Sequence, residues 1–210
     1  VSQNPSHVYA TCATYNASLI VTDANGLSDT VTYSVVVNCN PTANFSSMDV
    51  CEGDINTFTD LSNSPGAIVS WLWDFGDGAG TSTQQNPSYT YSQCGAYNVT
   101  LTVTDNTGCV SSISAWIQVF CNPVALFSAP DTACVGDTVC FTDASVTGGG
   151  SIVASNWDFD NASTSTAISP CYIYPNTGIY NVTQTIIDIN GCSDAFTQSI
   201  FIDSCNMSTG

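Results

Sequence analysis

The 210 residues contain no lysine or arginine, against 17 aspartates and glutamates and one histidine, His7, for a formal net charge of −17. Without lysine or arginine, no side-chain salt bridge can form except through His7. Nucleic acid is excluded as a partner, because nothing neutralises its phosphates. Anionic membrane surfaces would repel the chain. Copies of it repel one another unless cations, salt or glycans intervene. Trypsin finds no cleavage site. The charge has two readings: a compositional habit of a saline or extracellular lineage, or selection for protease resistance or cation-dependent assembly.

Other absences narrow the field further. No stretch approaches the roughly 20 apolar residues of a membrane-spanning helix, so no membrane insertion is expected. Polar residues follow Val1 directly, so no export leader is visible; in a secreted protein it has been removed or lies upstream. CxxC motifs and Cys/His pairs are missing, which argues against zinc. No nucleophile elbow occurs, and a catalytic triad would need His7. We therefore expect no enzyme activity within these residues.

Eleven cysteines are present. Without metal-type spacing they read as disulfides formed in an oxidising compartment. Abundant Ser and Thr, with no long helix-forming runs, favour strands.

The chain repeats itself with a period of about 82 residues. Tyr9 and Cys12 correspond to Tyr91 and Cys94, Tyr15-Asn16 to Tyr97-Asn98, Leu19–Asp23 to Leu101–Asp105, and Cys39-Asn-Pro41 to Cys121-Asn-Pro123. A third copy follows: Phe45, Cys51, Phe58 and Trp73-Asp-Phe75 match Phe127, Cys134, Phe141 and Trp157-Asp-Phe159. This divides the chain into the C-terminal half of a domain (1–40), two complete domains (41–122 and 123–205) and the start of a linker (206–210). The expectation is a segment of a longer array. In the alternative, a neighbouring subunit donates the strands missing from the first copy.

Residues 97–104 alternate apolar and polar with period two, the pattern of a strand with one buried face. Asp105–Gly108 reads as a turn and 113–119 as the returning strand. The pair recurs at 16–22 with 30–37, and at 181–187 with 196–202. Shorter strands are expected at 43–46, 57–60 and 70–75, before a Gly-rich break at 76–80. Seven or so such strands per copy describe a β-sandwich.

Trp73-Asp-Phe-Gly-Asp-Gly78, Pro87-Ser-Tyr-Thr-Tyr91, Gly95-Ala-Tyr97 and Val99–Asp105 resemble the PKD (polycystic kidney disease) domain family. The third copy departs from its signature, with Asp160-Asn-Ala162 in place of Gly-Asp-Gly. The resemblance implies an all-β fold of tandem Ig-like sandwiches, the first one truncated. Members of the family space, bind or stiffen, on cell surfaces, in surface layers, and in secreted proteases and chitinases. Cysteine-rich versions resemble the long surface proteins of gliding and marine Bacteroidetes.

In such sandwiches Cys39 and Cys121 would precede a first strand, and Cys109 and Cys192 would lie in the turn between the last two strands, at the same end. The expected bridges are Cys39–Cys109 and Cys121–Cys192. Loops of about 70 residues closed this way stabilise by roughly 4 kcal/mol in the chain-entropy treatment. Cys51–Cys94 is expected at the opposite end and Cys140–Cys171 across two neighbouring strands. Cys12 and Cys205 then pair outside the chain, and Cys134 is left free or joined to another chain.

Asp74 and Asp77 are candidate calcium ligands, the one cofactor considered; the alternative is that they cap a tight turn. Trp73 and Trp157 read as core anchors, while Trp116 is a candidate exposed platform for sugars. Asn16, Asn44, Asn98, Asn161, Asn181 and Asn206 stand in N-linked acceptor patterns. Thr30, Thr132 and Thr138 stand in Asp-Thr patterns that resemble the O-linked sites of Bacteroidetes. The leading functional expectation is a structural or adhesive extracellular array forming a stiff, disulfide-braced fibre or stalk, whose partners are further copies of the repeat and glycans. Two alternatives are an accessory carbohydrate- or substrate-binding module of a secreted hydrolase, and a surface-layer component.

Overall fold

A computed structural model describes residues 2–205. In chain order the strands begin with a hairpin, β1 (Ala13–Thr22) and β2 (Ser28–Val37). The second repeat follows with β3 (Phe45–Ser46), β4 (Val50–Cys51), β5 (Ile55–Thr57), β6 (Thr59–Asp60), β7 (Ile68–Asp74), β8 (Thr81–Ser82), β9 (Ser88–Thr90), β10 (Gly95–Asp105) and β11 (Val110–Phe120). The third contributes β12 (Phe127–Ser128), β13 (Thr132–Cys134), β14 (Thr138–Cys140), β15 (Thr142–Asp143), β16 (Ile152–Asp158), β17 (Thr164–Ser165), β18 (Cys171–Ile173), β19 (Gly178–Asp188) and β20 (Ser193–Asp203).

The two later repeats have the same topology. Five-stranded sheets run β4-β11-β10-β7-β8 and β13-β20-β19-β16-β17, and each repeat adds two strand pairs, β3-β6 with β5-β9 and β12-β15 with β14-β18. These are tandem all-β, Ig-like sandwiches, and the described residues contain no helix. The chain divides into two compact units, one of residues 1–48, 57–89 and 97–117, the other of 49–56, 90–96 and 118–210.

In the first unit, β10 alternates as its sequence dictates: Val99, Leu101 and Val103 are fully buried. Trp73 anchors an aromatic cluster. Phe45 meets it edge-on at 5.2 Å, Phe58 packs at 5.7 Å, and Phe75 stacks on Tyr89 at 4.1 Å. Aromatic pairs in such geometries add to the area they bury. The hairpin β1–β2 has a continuous ten-residue register, from Ala13 opposite Val37 to Thr22 opposite Ser28. Its apolar face is exposed all the same: Leu19 by 58% and Tyr33 by 75%.

The second unit repeats the plan with new residues. Phe127, Phe141, Trp157, Phe159, Tyr174, Val182, Ile200 and Ile202 form one core. Phe127 meets Trp157 at 4.9 Å, and Phe159 stacks on Tyr172 at 4.5 Å.

The sulfur framework differs from the spacing-based expectation. Cys39 does not reach Cys109, nor does Cys121 reach Cys192, nor Cys51 reach Cys94. The bridges are Cys12–Cys39, Cys51–Cys192, Cys94–Cys121, Cys134–Cys205 and Cys140–Cys171, and Cys109 is the free thiol. The reason lies in strand ends. Cys12 and Cys39 flank the last pair at the open end of a regular hairpin, 5.0 Å apart at Cα. Cys94 and Cys121 flank the equivalent β10–β11 ends at 4.8 Å. Those ends are brought together by the ladder itself, so each cysteine is used locally. Cys134 and Cys205 are likewise bonded, because β13 runs parallel to β20 with Cys134 opposite Asp203. Cys140 sits directly opposite Cys171 in the β14–β18 pair.

Candidate functional site

Two features distinguish these sandwiches chemically: carboxylates serving as backbone acceptors, and a disulfide that joins one repeat to the next. With no lysine or arginine available, several acidic positions that recur between the repeats accept from N–H and O–H donors. In the hairpin turns, Asp23 Oδ1 accepts the N–H groups of Asn25 and Leu27 at 2.8 and 2.9 Å. Asp105 Oδ1 accepts those of Thr107 and Cys109 at 2.9 and 3.0 Å, and Asp188 Oδ1 those of Asn190 and Cys192, both at 2.9 Å. The Thr107 hydroxyl adds a bond that, with the backbone donors, holds the Asp105 carboxyl below its ordinary range. Gly108 and Gly191, both at φ +86°, close these turns.

Asp74 and Asp77 are placed the same way. Asp74 Oδ1 accepts the Gly76 N–H at 2.9 Å. Asp77 Oδ1 accepts the N–H groups of Ala79 and Gly80 at 3.0 and 2.7 Å, and its Oδ2 accepts the Tyr89 hydroxyl. The Tyr89 bond leads the causes that lower the Asp77 carboxyl, and the Tyr89 phenol is pushed up to about 12. Both Asp77 oxygens are occupied by protein donors. Acceptance of successive backbone N–H groups is the arrangement of an aspartate that caps a tight turn. Among the described residues, no group of three or more acidic, His or Cys side chains is placed to hold a metal ion.

A second acidic pair was missed in the sequence. Asp60 accepts from Ser62 N–H at 3.0 Å, Trp71 Nε1 at 2.7 Å and Gln85 Nε2 at 3.1 Å. Burial raises its carboxyl, but the donors together hold it below the ordinary value. Asp143, in the same place one repeat on, accepts from Ser145 N–H and from Gln184 Nε2, again with a lowered pKa in spite of burial. The signal was available: Phe58-Thr-Asp60 and Phe141-Thr-Asp143 are identical triplets.

Trp73 and Trp157 are fully buried, and each donates its indole N–H to a backbone carbonyl, of Gln84 and of Ala167, both at 2.9 Å. Trp116 is 71% exposed on β11. The acceptor candidates Asn16, Asn44, Asn98, Thr30, Thr132 and Thr138 are exposed. Asn161 and Asn181 have their amide groups engaged, Asn161 Nδ2 to the Tyr172 hydroxyl at 2.9 Å and Asn181 Oδ1 from the Ser199 hydroxyl at 2.7 Å. Asn206 lies outside the described residues.

Cys51–Cys192 carries the consequence for the array. Cys51 sits on β4 beside the end of β11, and Cys192 sits in the β19–β20 turn of the following repeat. The bond therefore ties the end of one sandwich covalently to the next, across 141 residues of sequence.

The family model for the PKD domain matches residues 38–121 and again 120–203. The pre-pro-metalloprotease PrtV of Vibrio cholerae is 32% identical over 136 residues, which is 65% of this chain and 15% of that protein. A microbial collagenase of Vibrio alginolyticus is 46% identical over 54 residues, 26% of this chain and 6% of the collagenase. The solved PKD1 domain of the V. cholerae metalloprotease PrtV is 40% identical, with TM-score 0.35, covering 39% of this chain and 98% of that domain. The chain thus spans a small fraction of the curated relatives it matches.

Proposed function

The chain belongs to the PKD domain family, and from that premise we propose that it is a non-catalytic accessory segment of an extracellular hydrolase: a disulfide-braced spacer that also contacts an insoluble substrate. The observation that carries this reading is the tandem PKD match of this chain together with its likeness to a metalloprotease and to collagenases, in which the matched stretch is a small part of the length. Five disulfides suit an extracellular, oxidising setting. Cys51–Cys192 restricts bending between repeats, and Trp116 offers an exposed aromatic face for contact. The test is deletion of residues 41–205 from the whole polypeptide. Turnover of an insoluble polymer should fall while that of a soluble one is unchanged. Equal loss on both, or the absence of any hydrolase domain in the polypeptide, overturns the reading.

A second reading, a structural or adhesive stalk, is favoured by the covalent link between successive repeats. It predicts many more copies in the polypeptide and beaded filaments in electron micrographs of the native material. A globular native particle overturns it.

A further inference from the structure

Cys109 is a free thiol, yet its counterpart one repeat later is not. Cys192 occupies the same place in the same turn, with its N–H on Asp188 Oδ1 at 2.9 Å as Cys109 N–H is on Asp105 Oδ1 at 3.0 Å. Cys192 is bonded to Cys51 and buried; Cys109 is half-exposed. The turn geometry that aims one sulfur at a β4-type strand is therefore present at the other without that strand.

Three independent observations show where the strand belongs. First, β4 lies beside the end of β11, with Val50 opposite Val119 and Cys51 opposite Phe120. The repeat register makes Val37 and Asn38 the equivalents of Val119 and Phe120. Second, beside Val37 and Asn38 there is a groove of about 380 Å³, which extends to Asp105, Asn106 and Thr107 of the Cys109 turn. Third, the hairpin face that continues from this edge is bare. Ala17, Leu19 and Val21 correspond to the fully buried Val99, Leu101 and Val103. In the third repeat the equivalent hairpin residues Val182, Ile200 and Ile202 pack on Phe127, Phe141 and Trp157, all from the first half of that repeat.

We propose that Cys109 forms an inter-repeat disulfide with a cysteine on a PKD half-repeat joined N-terminal to the β1–β2 hairpin, a half-repeat equivalent to residues 41–82. That segment covers the apolar hairpin face, and its β4-type strand fills the groove along Val37–Asn38. Two thiols lose two protons and two electrons to a disulfide oxidant such as oxidised glutathione. One S–S bond forms, and the oxidant's own is cleaved to two thiols. The inference rests on the repeat register and holds for either reading of the whole polypeptide, so its failure and theirs are separable.

The same register bounds the bridging. Leu27 stands where Cys109 and Cys192 stand, so the first repeat offers no sulfur to an earlier one. Thr177 replaces Cys94 in the third repeat, and there Cys134 pairs with Cys205 instead of reaching forward. Three sandwiches are then linked as a covalent triplet.

The test is non-reducing peptide mapping of the natural polypeptide, with proteases that cut at acidic or aromatic residues. The Cys109 peptide should be joined to a peptide from upstream of Val1. A free Cys109 thiol, a bond to another cysteine within these residues, or a bond to a separate polypeptide each overturns the proposal. A second measurement uses the chain extended by a copy of its own residues 41–82 ahead of Val1, expressed into an oxidising compartment. Denatured without reductant, the extended chain should show no titratable thiol, and its Cys109→Ser variant one. Two thiols in the extended chain overturn it.

Discussion

Gln184 Nε2 donates to Asp143 Oδ1 at 2.8 Å, filling the role that Trp71 Nε1 fills for Asp60 one repeat earlier. The two repeats reach the same end by exchanging a pair of residues. Where the second has Leu101 beside Trp71, the third has Gln184 beside Ser155, and Gln184 is fully buried. Its amide also donates to Ser155 Oγ at 3.3 Å and accepts from Ser145 Oγ at 3.4 Å. The smaller Ser155 leaves a hollow of about 350 Å³ between Asp143, Ile152, Asn156 and Ile168.

Gln184→Leu therefore removes a donor from a partly buried carboxylate and should destabilise the third repeat by about 1–3 kcal/mol. The pair Gln184→Leu with Ser155→Trp restores both the donor and the volume. Thermal or urea unfolding should show the double variant more stable than the Gln184→Leu single. If the two losses simply add, the exchange is not compensatory.

The long strands could be read directly from sequence, because β10 and β19 each alternate apolar and polar residues with one face on the core. The strands of two or three residues, such as β4 and β13, could not, since so short a run has no periodicity. Nor could the sulfur pairing, apart from Cys140–Cys171, whose two strands were expected side by side. Cys51 and Cys192 meet only through the placement of two domains, which local spacing does not encode. One clue was present: the separation of 27 between Cys12 and Cys39 recurs between Cys94 and Cys121. The half-buried Asp60 and Asp143 were overlooked because an aspartate in a strand reads as an edge residue until its donors, Trp71 and Gln184, are placed.

Tyr174 has its hydroxyl buried with no partner among the described residues. Burial, then the neighbouring phenols of Tyr172 and Tyr180, pushes its pKa up. An orphaned buried hydroxyl costs free energy without return. Tyr174→Phe should leave the fold intact and raise stability by up to about 1 kcal/mol, read from the denaturation midpoint. A loss above 1 kcal/mol would mean the hydroxyl has a partner in solution.

Backbone strain separates the two signature turns. Ala162 sits at φ +65° where the second repeat has Gly78 at +81°. Left-handed backbone costs an L-residue roughly 1–2 kcal/mol, partly offset by the larger unfolded-state entropy of glycine. Ala162→Gly should thus stabilise by about 0.5–1 kcal/mol, and Gly78→Ala should cost about as much. Gly76→Ala should cost more, because a Cβ there meets the Asn98 backbone at 2.6 Å. Equal effects at Gly76 and Gly78 would contradict the steric assignment.

The Asp77–Tyr89 pair sets a pH window for the second repeat. The Asp77 carboxyl is held below its ordinary 3.8, so its contribution is complete above that pH and is lost as acid titrates it through the lower folded value. The Tyr89 phenol runs the other way. Its folded pKa of about 12 exceeds the ordinary 10.0, so its contribution is complete below pH 10 and disappears as pH rises through 12. Asp77 is exposed and Tyr89 half-buried, so solvent screens the pair, the stability change is small and the titration itself is the better observable. Phenolate absorbance, measured in a Tyr174→Phe background, should contain one late component that Tyr89→Phe removes. Asp77→Asn should move that component back towards 10, because the accepting charge is gone while the ring still stacks on Phe75. If Tyr89 titrates with the exposed tyrosines in the parent chain, the turn is not held by this bond, and Asp77 regains an oxygen free to meet a cation.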